Sequence, residues 1–158
     1  MAMLEVDIRE LRHGPVETVG QLAAGDPTFE GLDLELATPL EVRGRLQPTS
    51  DGEYFWQATL NGAVRTACRR CLADLTRPVH ADVGVMFSTD PDMADEASVY
   101  PVPESARVVD LRPAVREELA LAVPPYILCR EECAGLCPQC GADLNAGPCG
   151  CAVAASQP

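Results

Sequence analysis

The chain has 158 residues, is 47% hydrophobic and carries a formal net charge of −12. That length suits one domain with a real core plus a small appended module, and is too short for two full-sized domains. No apolar run approaches the ~20 residues needed to span a bilayer, and the acidic balance argues against broad electrostatic binding to nucleic acid.

Taken in order, Leu4, Val6 and Ile8 alternate with Glu5 and Asp7, the signature of a half-buried strand. The apolar residues between Val16 and Phe29 show no strong period and are broken by Gly25-Asp26-Pro27, so this segment reads as mostly irregular. Leu32, Leu34 and Leu36 alternate with Asp33 and Glu35 as a second strand, and Leu40 to Leu46 continues the alternation after Pro39. Pro48 to Gly52 has turn composition, and the aromatic and β-branched run Tyr54 to Leu60 follows as the next strand. Asn61-Gly62 predicts a type I′ hairpin that returns the chain through Ala63 to Cys68. Leu75 to Phe87 leads away as a strand with Val79, Ala81, Val83, Val85 and Phe87 on one face. Trp56, the single tryptophan, reads as a core residue, and His80 as a surface one.

Asp90 to Ala97 is an acidic loop without the spacing of a calcium site, and Val99 to Val102 can add a short strand. Asp110 is placed as the N-cap of a helix over about 110–122, with Pro113 in its first turn and Leu111, Val115, Leu119 and Ala122 on one face. Val123-Pro124-Pro125 stops it. The fold class expected is α+β: an antiparallel meander packed with one main helix, followed by a zinc-stapled tail. The expected domain limits are 1–128 for the sheet and helix, 129–151 for the cysteine-rich tail, and 152–158 for a disordered C-terminus.

The eight cysteines occur in only two places, the pair Cys68 and Cys71 and the tail Cys129, Cys133, Cys137, Cys140, Cys149 and Cys151. Two tetrahedral sites of four thiolates each would use them all, which predicts two zinc ions. In CPQCG, Cys137 to Gly141, the first thiolate of a zinc knuckle accepts backbone N–H bonds and the glycine supplies the left-handed backbone that closes the loop. Cys137, Cys140, Cys149 and Cys151 can close around one ion within a short loop, helped by Gly147 and Gly150, leaving Cys68, Cys71, Cys129 and Cys133 for the other. The rival pairing joins the two knuckles, Cys68 and Cys71 with Cys137 and Cys140, as a zinc ribbon.

Three other chemistries compete. A disulfide framework needs an oxidising compartment, whereas MAMLEVDIRE has neither a basic start nor an apolar run, so a cytoplasmic protein is expected. A thioredoxin-like pair should open a helix after a strand, but CRRC lies between strand-like segments. An iron–sulfur cluster also takes four cysteines, and the sequence leaves it open.

Charge is unevenly placed. Between Arg43 and Arg77 six arginines (Arg43, Arg45, Arg65, Arg69, Arg70, Arg77) face three acids (Asp51, Glu53, Asp74), a local excess of +3 around CRRC. Arg69 and Arg70 can neutralise an anionic thiolate site, or the set can form a contact face for RNA phosphate or an acidic protein. No paired histidines, carboxylate cluster with metal spacing or nucleophile motif is present, so no catalytic residue is assigned and an enzyme is not expected.

Val64 to Leu72 with CRRC, then Asp110-Leu111 opening a helix with Glu117-Glu118 and Leu119 to Pro124, then Cys129 onward as C-x3-C-x-GLCPxCG-x-x-LN, together resemble the YceD family of large ribosomal RNA subunit accumulation proteins. The resemblance runs from about Val42 to Cys151. It implies a bacterial cytosolic factor needed for accumulation or maturation of large-subunit ribosomal RNA. With no catalytic motif in the chain, a non-catalytic assembly factor that contacts that RNA or a ribosomal protein is expected. An RNA-processing enzyme or a thiol redox protein is the alternative. Many members lack the six-cysteine tail, which implies that metal does not perform the function the family shares.

Overall fold

The computed structural model describes residues 4–151; the expectation for 152–158 lies outside the described residues. In chain order the elements are β1 (Glu5–Asp7), α1 (Ile8–Leu11), β2 (Val16–Leu22), a 3-10 turn (Pro27–Phe29), β3 (Glu35–Leu36), β4 (Leu40–Ser50), β5 (Glu53–Ala67), β6 (Asp74–Ser88), a second 3-10 turn (Pro91–Met93), β7 (Val99–Pro101), β8 (Val108–Asp110) and α2 (Arg112–Ala122). The main sheet has the order β2-β4-β5-β6-β7, with β3 also pairing β5, while β1 and β8 form a separate antiparallel pair. β7 runs parallel to β6, pairing Met86 with Val99, so the fold is α+β with a mixed sheet rather than a purely antiparallel meander.

The described chain divides into two compact units. One comprises residues up to 64 together with 78–123, and the other residues 65–77 together with the chain from 124 onward.

The first unit is built on strands that alternate. Leu40, Val42 and Leu46 of β4, Tyr54, Trp56, Ala58, Leu60 and Val64 of β5, and Val79, Val83, Val85 and Phe87 of β6 are buried, with more exposed residues between them. Leu111, Val115 and Leu119 join the same core as the periodicity predicts, Ala114 joins it as well, and Ala122 is only partly buried against it. Each fully buried Leu, Val or Phe of this kind is worth roughly 1.5–3 kcal/mol relative to exposure.

Four local expectations need correction. Val16–Leu22 is a strand, not irregular chain: its inward positions include Thr18 and its outward ones Val19, which is 57% exposed, so the apolar period is inverted at two places. Thr18 is fully buried because its hydroxyl accepts the Trp56 indole N–H at 3.0 Å. Asn61-Gly62 is not a turn. Asn61 pairs with Glu41 inside β5, and a Cβ on Gly62 would come within 3.2 Å of Leu40 Cδ1, so the glycine serves close strand approach instead of positive φ. The turn between β5 and β6 is Cys68–Ala73, the CRRC segment itself. The strand predicted through Leu32 and Leu34 forms only at Glu35–Leu36. The N-cap position of α2 is Leu111, because Asp110 ends β8; the Asp110 carboxylate still accepts the Arg112 N–H at 3.0 Å.

A candidate metal centre in two tetrathiolate clusters

All eight cysteines lie in the second unit, where their sulfurs gather into two groups of four, Cys68, Cys71, Cys129 and Cys133, and Cys137, Cys140, Cys149 and Cys151, each with every Sγ within 4.8 Å of the others. This is the partition favoured by spacing, and the ribbon pairing does not occur. The Sγ atoms of Cys68 and Cys133, and those of Cys71 and Cys129, are 3.7 Å apart. A tetrahedron of bonds of about 2.3 Å to a central ion separates its sulfurs by about 3.8 Å, so the donor set fits one ion per cluster.

The two CxxC turns share one geometry. In the first, Cys68 N–H donates to Ala73 O at 2.9 Å and Leu72 N–H to Cys68 O at 2.9 Å. In the second, Cys137 N–H donates to Ala142 O at 2.8 Å and Gly141 N–H to Cys137 O at 2.9 Å. The residue after the second cysteine is left-handed in both, Leu72 at φ 62° and Gly141 at φ 75°. Gly147 also has positive φ, at 133°, whereas Gly150 is outside that region and a Cβ there would meet no atom within 4 Å, so the C-x-C turn does not require a glycine at that position.

This geometry sets the thiol chemistry. Burial pushes the Cys68 thiol up, but backbone N–H groups of Cys71, Cys129 and Arg70 outweigh it and hold the thiol at about 6. N–H groups of Cys140 and Gln139 hold Cys137 at about 7. Asn145 lowers Cys133 by donating its side-chain amide to the sulfur at 3.3 Å. Burial and then the neighbouring sulfurs push Cys129 up to about 12, and Cys140 pushes Cys151 up to about 11. Each cluster therefore mixes ready thiolates with thiols that a cation must deprotonate, which makes metal affinity pH-dependent.

The arginines divide into two groups. Arg69 Nε donates to Pro125 O at 3.3 Å, Arg70 Nη1 to Cys133 O at 3.0 Å and Glu131 O at 3.4 Å, and Arg77 Nη2 to Leu128 O at 3.0 Å. These three clamp the carbonyls of the segment that carries Cys129 and Cys133, and Arg70 also places positive charge near Cys133 and Cys68. Arg43 and Arg45 instead stand exposed on β4, Arg45 3.6 Å from Glu17. Arg43 lies between a shallow groove of about 440 Å³ lined by Gln57, Thr59, Asp82 and Gly84, and one of about 220 Å³ lined by Val19, Gln21 and Glu41. Arg65 is exposed on β5 and has an interaction partner. His80 is also exposed, its Nδ1 2.7 Å from Asn61 Oδ1.

Asn145 is the site residue that sequence reasoning did not single out. Its side chain ties Cys133 Sγ to Ala134 N–H and to Arg130, with both of the latter contacts at 2.8 Å. The available signal was the Leu144-Asn145 pair that closes the tail motif.

The family model for "Large ribosomal RNA subunit accumulation protein YceD" matches residues 56–158, taking in both cysteine segments. The chain belongs to this family. An uncharacterized protein of Mycobacterium tuberculosis is 29% identical over 129 residues, covering 77% of this chain and 61% of that protein. The uncharacterized protein YlbN of Bacillus subtilis is 31% identical over 115 residues, covering 70% of this chain and 64% of its own length. The chain thus spans about three fifths of the length of these relatives. No solved structure matches. The family name describes an accumulation factor for large-subunit ribosomal RNA, not an enzyme. Among the described residues no helix is long and apolar enough to cross a membrane.

Proposed function

We propose that this YceD-family protein is a cytoplasmic, non-catalytic factor that supports accumulation or maturation of large-subunit ribosomal RNA by binding that RNA or a ribosomal protein, and that it holds two zinc ions structurally. The observation that carries the reading is the family match across 56–158, which contains the whole metal-ligand set. Zinc is favoured over other ions because all-thiolate tetrahedral sites suit it, and because sulfurs within 4.8 Å of one another leave room for a single ion rather than a multi-iron core. Metal bound by four protein ligands has no open position for substrate, which supports a structural role. The first ion would join the β5–β6 turn to the segment 124–133, and the second would close 137–151 on itself.

Deleting the gene in its host is the direct test. The expected result is a reduced ratio of mature large-subunit to small-subunit ribosomal RNA, restored by a plasmid copy; an unchanged ratio contradicts the reading. Direct RNA contact is checked on the purified protein. With Arg69, Arg70 and Arg77 committed to carbonyls, Arg43 and Arg45 are the arginines to test. Replacing either by alanine lowers the salt slope of RNA binding by about one unit if it contacts a phosphate. An unchanged slope and affinity assign the contact to a protein.

A further inference from the structure

The main sheet treats its two edges differently. β7 is three residues long and ends in Pro101, which blunts that edge. β2 is seven residues long, has no proline and one charged residue, Glu17, and pairs with β4 without a bulge from Val16 opposite Leu46 to Leu22 opposite Leu40. Among the described residues β4 is the one strand beside it, so the other side of β2 lies open. Natural sheets rarely leave a long, regular edge unguarded, because its free N–H and C=O groups are a template for another strand.

The groups that face this edge follow from β4. A Cβ on Gly44 would lie 2.9 Å from Ala58 Cα, and so close an approach marks an opposed pair that does not exchange hydrogen bonds. Gly44 therefore turns its N–H and C=O the other way, toward Thr18 of β2. By alternation Val16, Thr18, Gly20 and Leu22 bond to β4, while Glu17, Val19 and Gln21 present their N–H and C=O groups at the open edge. Burial agrees, since Thr18, Gly20 and Leu22 are buried and Glu17, Val19 and Gln21 are exposed.

This edge is its own complement. An antiparallel second copy with a two-fold axis through Val19 sets Val19 against Val19 and Glu17 against Gln21. It is the one register in which every outward group finds a partner: sliding the copy by two residues either way leaves Glu17 or Gln21 unpaired. The same register keeps carboxylates apart, because Glu17 meets the Gln21 amide, and its charge is already offset by Arg45 at 3.6 Å. In a chain of net charge −12, a strand without uncompensated charge is where two copies can approach. Val19, 57% exposed, gains an apolar neighbour at the axis. A foreign strand would have to carry this pattern independently, whereas a second copy supplies it by symmetry.

We propose that β2 is a dimerisation edge: two copies of this chain join antiparallel through Glu17, Val19 and Gln21, about a two-fold axis at Val19, into one continuous sheet. The proposal stands apart from the ribosomal reading and does not depend on it.

Seven paired residues make a small interface, so association in the micromolar range or weaker is expected. The full chain as purified is followed by sedimentation equilibrium up to several hundred micromolar, with hydrogen exchange of the Val16–Leu22 amides at low and high concentration. The expected result is a rise from one chain to two, with the Glu17, Val19 and Gln21 amides slowed at least tenfold at high concentration. Val19→Glu stays compatible with Arg43 opposite it on β4 but brings two carboxylates together at the axis, and Val19→Lys brings two ammonium groups together. Each variant alone is expected to associate at least tenfold more weakly, and an equal mixture of the two to recover the dimer. A wild-type chain that stays single throughout overturns the proposal and leaves the edge to another protein's strand. A dimer without added protection in β2, or single variants that associate like wild type, puts the interface elsewhere and overturns it. A mixture that stays apart takes Val19 off the axis and overturns it too. The exchange result on the wild-type chain holds whether or not either variant folds.

Discussion

Asn145 offers the sharpest perturbation of one metal cluster without touching a ligand. Its amide donates to Cys133 Sγ at 3.3 Å, and its Oδ1 accepts from Ala134 N–H and Arg130 Nη2 at 2.8 Å each. Asn145→Ala removes a hydrogen bond to a thiolate and frees the loop that presents Cys133; water can replace the partner of the exposed Ala134 N–H but not the oriented N–H···S contact. Loss of such a supporting contact typically lowers metal affinity 10- to 100-fold. Asn145→Asp separates the two effects, since it keeps both acceptor bonds but faces the sulfur with a carboxylate, and it should weaken the cluster at least as much as alanine. The assay is a chelator titration of the metal-loaded protein, with alkylation mapping to show which cysteines become free. The expected pattern is early release of Cys68, Cys71, Cys129 and Cys133, with Cys137, Cys140, Cys149 and Cys151 released as in wild type. Equal release from both clusters, or wild-type behaviour of Asn145→Asp, refutes the argument.

Two further outcomes test the first unit. Thr18→Val should lose roughly 1–3 kcal/mol, because the buried Trp56 indole N–H is left without its acceptor, while Thr18→Ser should stay close to wild type. At about 2–4 °C per kcal/mol for a chain of this size the midpoint falls by several degrees on thermal unfolding, and an unchanged midpoint argues against the Thr18–Trp56 pair. Gly44→Ala places a Cβ 2.5 Å from Ala58 Cβ and 2.6 Å from Gln57 O, which forces β4 away from β5 and costs at least the ~1–3 kcal/mol of core overpacking. Wild-type stability of that variant in a denaturant titration contradicts the Gly44–Ala58 register.

Legibility followed the physics of each residue. Strands whose inward positions are all apolar, such as β6 with Val79, Val83, Val85 and Phe87, were readable from alternation alone. β2 was not, because a buried threonine and an exposed valine disguise its period, and the reason for the threonine lies 38 residues away on Trp56. Asn61-Gly62 misled because turn propensity is local, whereas the pairing of Asn61 with Glu41 and the close approach of Leu40 to Gly62 belong to the sheet. Of the two cysteine partitions the sequence offered, the favoured one occurs, since Cys137, Cys140, Cys149 and Cys151 can close within one short loop and leave the other four together. The role of Arg69, Arg70 and Arg77 was open on sequence grounds, because a guanidinium that clamps carbonyls and one that meets RNA look alike until the carbonyls are placed.

The central claim about this molecule is that its eight cysteines form two structural zinc sites. The most direct measurement is native mass spectrometry of the untagged protein with elemental analysis and a free-thiol count before and after chelation. The account predicts two zinc ions per chain, thiols protected until a chelator is added, and loss of ordered structure in 65–77 and 124–151 when the metal leaves. A metal-free chain whose eight thiols titrate at once, or iron with visible absorbance, would contradict it.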